Sequence, residues 1–168
     1  MVRKIEAACM ARKDDAFAIV ARTDAIAVEG VEGAVKRAKA YAKAGADMIF
    51  PDAVKSEDDI ARIVDAAGIP VSINMGFGIR SRPTTPLIPI PRLKALGVRR
   101  ISLPRMLPAA SIRAMETALQ LMRQSLETGV PVDRPDLLAS IEDIMQLMGY
   151  DAMRKLEAQL VAAPLAAD

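Results

Sequence analysis

The chain has 168 residues, 52% of them apolar, and its 23 Lys and Arg against 21 Asp and Glu leave a formal net charge of +2. That length and apolar content suffice for one packed core, and the near balance of charge, with no basic run longer than a pair such as Arg99 and Arg100, argues against a nucleic-acid footprint. A single cysteine, Cys9, and no histidine exclude disulfide frameworks, zinc ligand sets, Ser-His-Asp triads and Cys-His pairs, so acid–base chemistry falls to Asp, Glu, Lys, Arg or Tyr.

The apolar stretches are far shorter than the roughly 20 residues of a membrane span. The N-terminal Met-Val-Arg-Lys opens without the apolar region of a signal peptide. A cytoplasmic location is expected.

In chain order, an Ala-rich helix is predicted over Lys4 to Lys13, then a short buried strand over Phe17 to Ala21. Val31 to Ala44 repeats Ala and Val at helical spacing, with Gly45 placed to end the helix, and Asp47 to Phe50 reads as the next strand. Ser56 to Ala67 is a helix with an N-cap and an acidic first turn, closed by Gly68, and Pro70 to Ile73 is a third strand. A short helix over Pro91 to Leu96 stops at Gly97, and Val98 to Leu103 makes the fourth strand. A long helix over Pro108 to Glu127 ends before Gly129, Pro131 and Pro135, and helices over Asp136 to Met148 and Asp151 to Ala162 finish the chain.

Strands alternating with helices every 25 residues or so, about one crossover unit, argue for an α/β fold with a parallel sheet. Four such strands are half of an eight-stranded barrel. Each reads as apolar on both faces, as expected where helices cover one side and barrel filling the other. The fold expected is therefore half of a (β/α)8 barrel over residues 1–130, with a helical extension over 131–168.

In such barrels the reacting groups leave the C-terminal ends of the strands. Those ends are Arg22, Thr23 and Asp24, then Pro51 and Asp52, then Asn74, then Leu103 and Pro104. The planar guanidinium of Arg22 suits a carboxylate clamp through two parallel hydrogen bonds, although a structural pairing with Asp24 or Asp52 is equally open. Asp52 could accept from Arg22 or hold a metal-bound water, and Asn74 offers both a donor and an acceptor to a substrate oxygen.

The stretch Gly76-Phe-Gly-Ile-Arg-Ser81 follows a strand, but Pro83 and Pro86 forbid the helix that a dinucleotide site requires. A mobile loop is expected instead, with Gly76 and Gly78 as flexible points and Thr84 and Thr85 as polar contacts. Cys9, between Ala8 and Met10, reads as a small core thiol. The methionines from Met106 to Met153 recur with Leu and Ile on helical faces and read as core or subunit contact.

The strand ends together carry a resemblance. Ala18-Ile-Val-Ala-Arg-Thr-Asp-Ala25, the run Ala-Gly-Ala-Asp-Met-Ile-Phe-Pro-Asp-Ala over 44–53 and Pro70-Val-Ser-Ile-Asn74 resemble the isocitrate lyase and phosphoenolpyruvate mutase superfamily, its methylisocitrate lyase-like members above all. Thr85-Pro-Leu-Ile-Pro, Ile112-Arg-Ala-Met115 and Ser140-Ile-Glu-Asp-Ile-Met-Gln-Leu-Met-Gly149 extend the likeness over almost the whole chain. Gly45-Ala-Asp47 alone would prove little.

The resemblance implies a Mg2+-dependent carbon–carbon lyase acting on a small di- or tricarboxylate, such as a 2-substituted malate or (methyl)isocitrate, through an enolate-like species. Oxaloacetate decarboxylase or phosphonomutase activity belongs to the same family. In that scheme Arg22 resembles the substrate-carboxylate arginine, Asp52 stands where relatives often have Glu, Asn74 resembles the substrate asparagine, and Pro104 takes the place of a pocket-lining residue. Asp24, Thr84 and Thr85 are secondary candidates.

The lyase branch takes its base from a Lys-Lys-Cys-Gly-His motif that this sequence lacks, and the resemblance puts the metal-holding acids in the same absent segment. The chain thus reads as the C-terminal half of such an enzyme, inactive alone, completed by a half-barrel partner or surviving as a non-catalytic remnant for oligomerisation or binding. Its last helices resemble those that relatives exchange between subunits, which implies a homo-oligomer.

Overall fold

The computed structural model describes residues 1–81 and 83–162. Among them the elements run α1 (Val2–Ala11), β1 (Val20–Thr23), α2 (Ile26–Lys43), β2 (Met48–Pro51), α3 (Glu57–Ala67), β3 (Ser72–Asn74), α4 (Ile90–Ala95), β4 (Arg100–Ser102), α5 (Met106–Thr128), α6 (Ile141–Leu147) and α7 (Tyr150–Ala162). The alternation of strand and helix through β4 makes the protein α/β.

The strands lie side by side in sequence order and all run parallel. β1 pairs with β2, setting Arg22 opposite Phe50, and β3 pairs with β4, setting Asn74 opposite Ser102. A parallel bridge between Ile49 and Val71 joins the two pairs, and the Ile49 amide donates to the Pro70 carbonyl at 2.9 Å. Because all four point the same way, their C-terminal ends share one rim.

The helices form where local chemistry favours them. The Ser56 hydroxyl caps α3 by accepting from the Asp59 amide at 3.1 Å, three acids in the first turn complement the helix dipole, and Gly68 ends the helix at φ 64 and ψ 3, a left-handed conformation that costs other residues. Ile60, Ile63 and Ala67 then recur on one buried face. Each of the two isoleucines contributes about 1.5–3 kcal/mol through burial. They join Ala34, Ala38 and Tyr41 of α2 and the strand residues Ala21, Ile49 and Ile73 in a single core.

The expected strand over Phe17 to Ala21 is displaced to Val20–Thr23, with Phe17 68% exposed. The Asp14 carboxylate accepts from the Ala16 amide at 2.8 Å and the Asp14 carbonyl from the Phe17 amide at 3.0 Å, a side-chain turn that holds this segment out of the sheet. Pairing starts only beyond Ile19, whose amide donates to the Asp47 carboxylate at 2.7 Å while Arg12 donates to the same oxygen at 2.8 Å.

The Ile19 amide, and after it Arg12, hold the Asp47 carboxyl below the usual carboxylate range. A carboxyl acidified by folding adds stability above its unfolded pKa and loses it as pH falls through the folded value. Asp47→Asn is therefore expected to lower the melting temperature at pH 7 and to flatten its fall below about pH 4, the ordinary aspartate range. Melting curves of both proteins between pH 7 and pH 3 check this, and parallel falls would contradict it.

The expectation of strands apolar on both faces is not met. The face carrying Ala21, Ile49 and Ile73 is buried, whereas Val20 on the opposite face is 44% exposed and Arg22 and Arg100 are exposed too. That second face is partly polar: Arg100 Nη1 donates to the Ser72 hydroxyl at 3.0 Å. Within residues 1–109, α2 packs on the buried face of the sheet and α3 packs on α2.

Residues divide into two compact units, 1–109 and 110–168. None of residues 110–161 is buried, so the methionines of this region do not serve as core within the described chain. Along α5, Ile112, Met115, Leu119, Met122 and Leu126 recur at spacings of three and four, each more than half exposed. The helix expected over Asp136 to Met148 is shortened to Ile141–Leu147. Ser140 starts it with a reciprocal cap, its hydroxyl accepting from the Asp143 amide at 3.0 Å while the Asp143 carboxylate accepts from the Ser140 amide at 3.1 Å.

Candidate functional site

The rim at the strand ends is bridged by one continuous polar chain. Arg22, the third residue of β1, donates to Asp24 through Nε at 3.0 Å and Nη2 at 2.8 Å, and through Nη2 to Asp52 at 3.0 Å. Asp52, just past β2, accepts from Asn74 Nδ2 at 3.4 Å, and Asn74, the last residue of β3, accepts at Oδ1 from the Ser102 hydroxyl at 3.2 Å. Every strand thus contributes one member. The parallel register does this: alternate residues on neighbouring strands stand side by side, so polar residues at equivalent strand ends must meet.

Arg22 is fixed from two sides. Its guanidinium lies over the Phe50 ring, 5.3 Å from the centroid, as the Arg22–Phe50 register requires. The Asp24 hydrogen bond, with Asp52 adding charge, holds its pKa above the ordinary arginine range. The side chain is 52% exposed, so these ion pairs stabilise the fold by at most about 1 kcal/mol. Their main effect is to set where the guanidinium stands.

A cavity of about 300 Å3 opens beside this chain, lined by Arg22, Asp52, Asn74, Ile79, Thr84, Pro104 and Arg105. The sequence-derived candidates Arg22, Asp52, Asn74, Pro104 and Thr84 therefore meet at one place. Asp24 holds Arg22 from outside the cavity, on the wall of a neighbouring depression of about 450 Å3 that also includes Val28 and Tyr41. That larger depression lacks Asn74 and Asp52.

Thr85 is not brought to the cavity. It is 2% exposed, and its hydroxyl is buried with no hydrogen-bond partner. The loop from Met75 to Pro89 contains no helix among its described residues. It folds back at Gly76, whose amide donates to the Thr85 carbonyl at 3.1 Å, and a Cβ there would come within 2.6 Å of that same carbonyl oxygen. Cys9 is partly buried against the core and donates from Sγ to the Gly45 carbonyl at 3.3 Å, which gives it a packing role.

Two residues escaped the sequence reading. Ser102 lies inside β4, two positions beyond Arg100 and on the same face, and fixing the strand end at Ser102 would have placed it opposite Asn74. Arg105 follows Pro104 directly, one residue beyond the last of the strand-end positions.

Among the described residues no three or more of the Asp, Glu, Cys and His side chains come together as a possible metal site. The carboxylate oxygens of Asp52 already accept from Arg22 and Asn74. The rim residues present do not by themselves fit a divalent cation. No described helix is long and apolar enough to cross a membrane.

Parallel strands with covering helices, and a rim that gathers arginine, aspartate and asparagine around a small cavity, define an α/β protein with a polar cavity at its strand ends. The sequence profile of the phosphoenolpyruvate phosphomutase family matches residues 1–123, and the chain belongs to that family. It is 37% identical over 161 residues to the probable 2-methylisocitrate lyase 2 of Corynebacterium glutamicum, covering 95% of this chain and 50% of that protein. To the 2-methylisocitrate lyase of Aeropyrum pernix it is 38% identical, with 95% and 49% covered. A crystal structure of 2,3-dimethylmalate lyase, a member of the PEP mutase/isocitrate lyase superfamily, superposes with a TM-score of 0.77 at 28% identity, over 96% of this chain and 55% of that one. The chain thus spans about half the length of the relatives it matches.

Proposed function

We propose that the rim cavity binds the carboxylate of a small 2-substituted malate or (methyl)isocitrate, as part of a cytoplasmic carbon–carbon lyase. The polar chain from Arg22 through Asp52 and Asn74 to Ser102, lining one cavity, carries this reading. The 2-methylisocitrate lyases and the dimethylmalate lyase among its relatives support it. The four sequential parallel strands are proposed to be the C-terminal half of a (β/α)8 barrel over residues 1–130, the other four strands lying outside these residues.

Each rim residue has a physical task. Arg22 anchors a substrate carboxylate through Nη1, the guanidinium nitrogen whose hydrogens neither Asp24 nor Asp52 accepts. The Asp52 carboxylate, which can only accept, decides which end of the Asn74 amide is the donor; the Ser102 hydroxyl donates to Oδ1, and the second hydrogen on Nδ2 is left for a substrate oxygen. As a base takes the hydroxyl proton and the hydroxyl carbon becomes a carbonyl, its bond to the neighbouring carbon breaks and the electron pair passes to that neighbour as the enolate of the carboxylate it carries; donors already oriented at the enolate oxygen lower the barrier. A Mg2+ ion in the whole enzyme would be held by groups other than these rim residues and would supply Lewis-acid chemistry there. Proton transfer also falls to groups beyond this sequence, which has neither histidine nor the Lys-Lys-Cys-Gly-His motif.

The exposed stripe from Ile112 to Leu126 supports a further part of the reading, that the helices over 131–168 and the end of α5 pack between subunits of a homo-oligomer.

The test is to titrate the purified chain with 2-methylisocitrate and with oxaloacetate in the presence of Mg2+, following heat of binding and release of pyruvate. Binding without turnover is expected. Turnover by this chain alone would contradict the assignment of proton transfer to other groups, and absence of binding would contradict the cavity as a carboxylate site.

A further inference from the structure

We infer that Arg105 is a second anion-binding group of the rim cavity, selecting ligands with two carboxylates over ligands with one. This deepens the carboxylate reading above and rests on it. Arg22 and Arg105 line the same cavity of about 300 Å3, but their electrostatic situations differ. Arg22 already faces two carboxylates, Asp24 at 2.8 Å and Asp52 at 3.0 Å, so one positive charge meets two negative ones and the cluster is net negative. A monoanion arriving there finds a guanidinium already compensated.

Arg105 has no ion pair and no side-chain hydrogen bond among the described residues. It stands directly before α5, whose first turn contains no acidic residue. Its backbone is nevertheless held: the Met106 amide donates to the Leu103 carbonyl at 3.2 Å, the Ala109 amide to the Arg105 carbonyl at 3.0 Å, and Pro104 restricts the residue before it. The result is an uncommitted cation on an anchored backbone, at the positive end of a helix dipole, facing a cavity whose other guanidinium is shared. A ligand whose first carboxylate meets Arg22 and Asn74 satisfies Arg105 only by bringing a second. Exposure of both arginines to solvent keeps the cost of leaving Arg105 unpaired small, so the ligand-free fold tolerates it.

The experiment is calorimetric titration of the chain with malate and with 2-hydroxybutanoate, which keeps the four-carbon 2-hydroxy acid skeleton but ends in a methyl group. The unmodified chain is expected to bind malate about tenfold or more tightly than 2-hydroxybutanoate, the worth of one charge-assisted contact. Arg105→Gln should bring the two ligands within about twofold of each other by weakening malate the more, and Arg105→Lys, which keeps the charge without the fork, should retain part of the preference. Matching circular dichroism and melting curves establish that the variants are folded. An unchanged malate preference in Arg105→Gln, or equal binding of both ligands by the unmodified chain, would overturn the role of Arg105 and leave the carboxylate site standing. Binding of neither ligand by the unmodified chain would overturn both.

Discussion

Arg22→Ala is expected to weaken malate binding about a hundredfold, close to 3 kcal/mol, when read by calorimetric titration. Two effects act in the same direction. The ligand loses its charged donor, and Asp24 and Asp52, which Arg22 holds at 2.8 and 3.0 Å, are left as two uncompensated negative charges beside an anion. The fold should hardly notice, because a half-exposed guanidinium on the rim adds at most about 1 kcal/mol to stability. A melting temperature near that of the unmodified chain together with lost affinity is thus the signature of a binding role. Arg22→Lys should recover only part of the loss, since a single ammonium cannot hold Asp24 and Asp52 and meet the ligand in the planar geometry of the guanidinium. Asn74→Ala removes a neutral donor and should cost only about 1 kcal/mol. Affinity near the original in Arg22→Ala would remove Arg22 from the site, and an equal or larger loss at Asn74 would reverse the order of the two.

Ile49→Ala should destabilise the chain by about 2–5 kcal/mol, the range for large-to-small changes in a packed interior. Ile49 is fully buried at the middle of β2, opposite Ala21 of β1 and bridged to Val71 before β3, so it touches the join between the two strand pairs. Its side chain shares the core with Ile73, Ala38 and Ile60. Truncation forfeits transfer free energy and leaves a cavity that main-chain hydrogen bonds on both sides prevent from closing. Urea unfolding of the two proteins measures the difference. A loss under 1 kcal/mol, the value typical of surface changes, would mean that the sheet does not pack as described.

The order of strands and helices was legible because punctuation and periodicity agreed. Ser56 and Gly68 bound α3 one residue outside its ends, and Gly45, placed to end α2, follows that helix's last turn. Element edges were lost where a polar side chain competes for the backbone. The Asp14 carboxylate turns the chain before β1, and the Ser140 and Asp143 cap delays α6 until Ile141. Neither competition shows in a hydrophobic pattern.

Of the site, Arg22, Asp52 and Asn74 could be read because each is a polar residue interrupting an apolar run at a strand end. Ser102 could not, since a serine within a run containing Ile101 and Leu103 looks incidental until the register sets it against Asn74. Thr84 and Thr85 are chemically alike and adjacent, yet one lines the cavity and the other is buried. Only the fold of the loop at Gly76 separates them. The expected two-sided apolar strands failed for a related reason: composition cannot tell Ser72 and Arg100, which hydrogen-bond to each other across one face, from residues that alternate into solvent.

The central claim, that side chains from successive strand ends form one carboxylate site, is tested most directly by a crystal structure of the chain bound to malate. The account predicts one carboxylate on Arg22 and Asn74 within the cavity that Asp52 and Pro104 also line, at hydrogen-bonding distances of about 2.7–3.2 Å. Malate bound elsewhere on the chain, or Arg22 and Asn74 turned to separate surfaces in the complex, would contradict it.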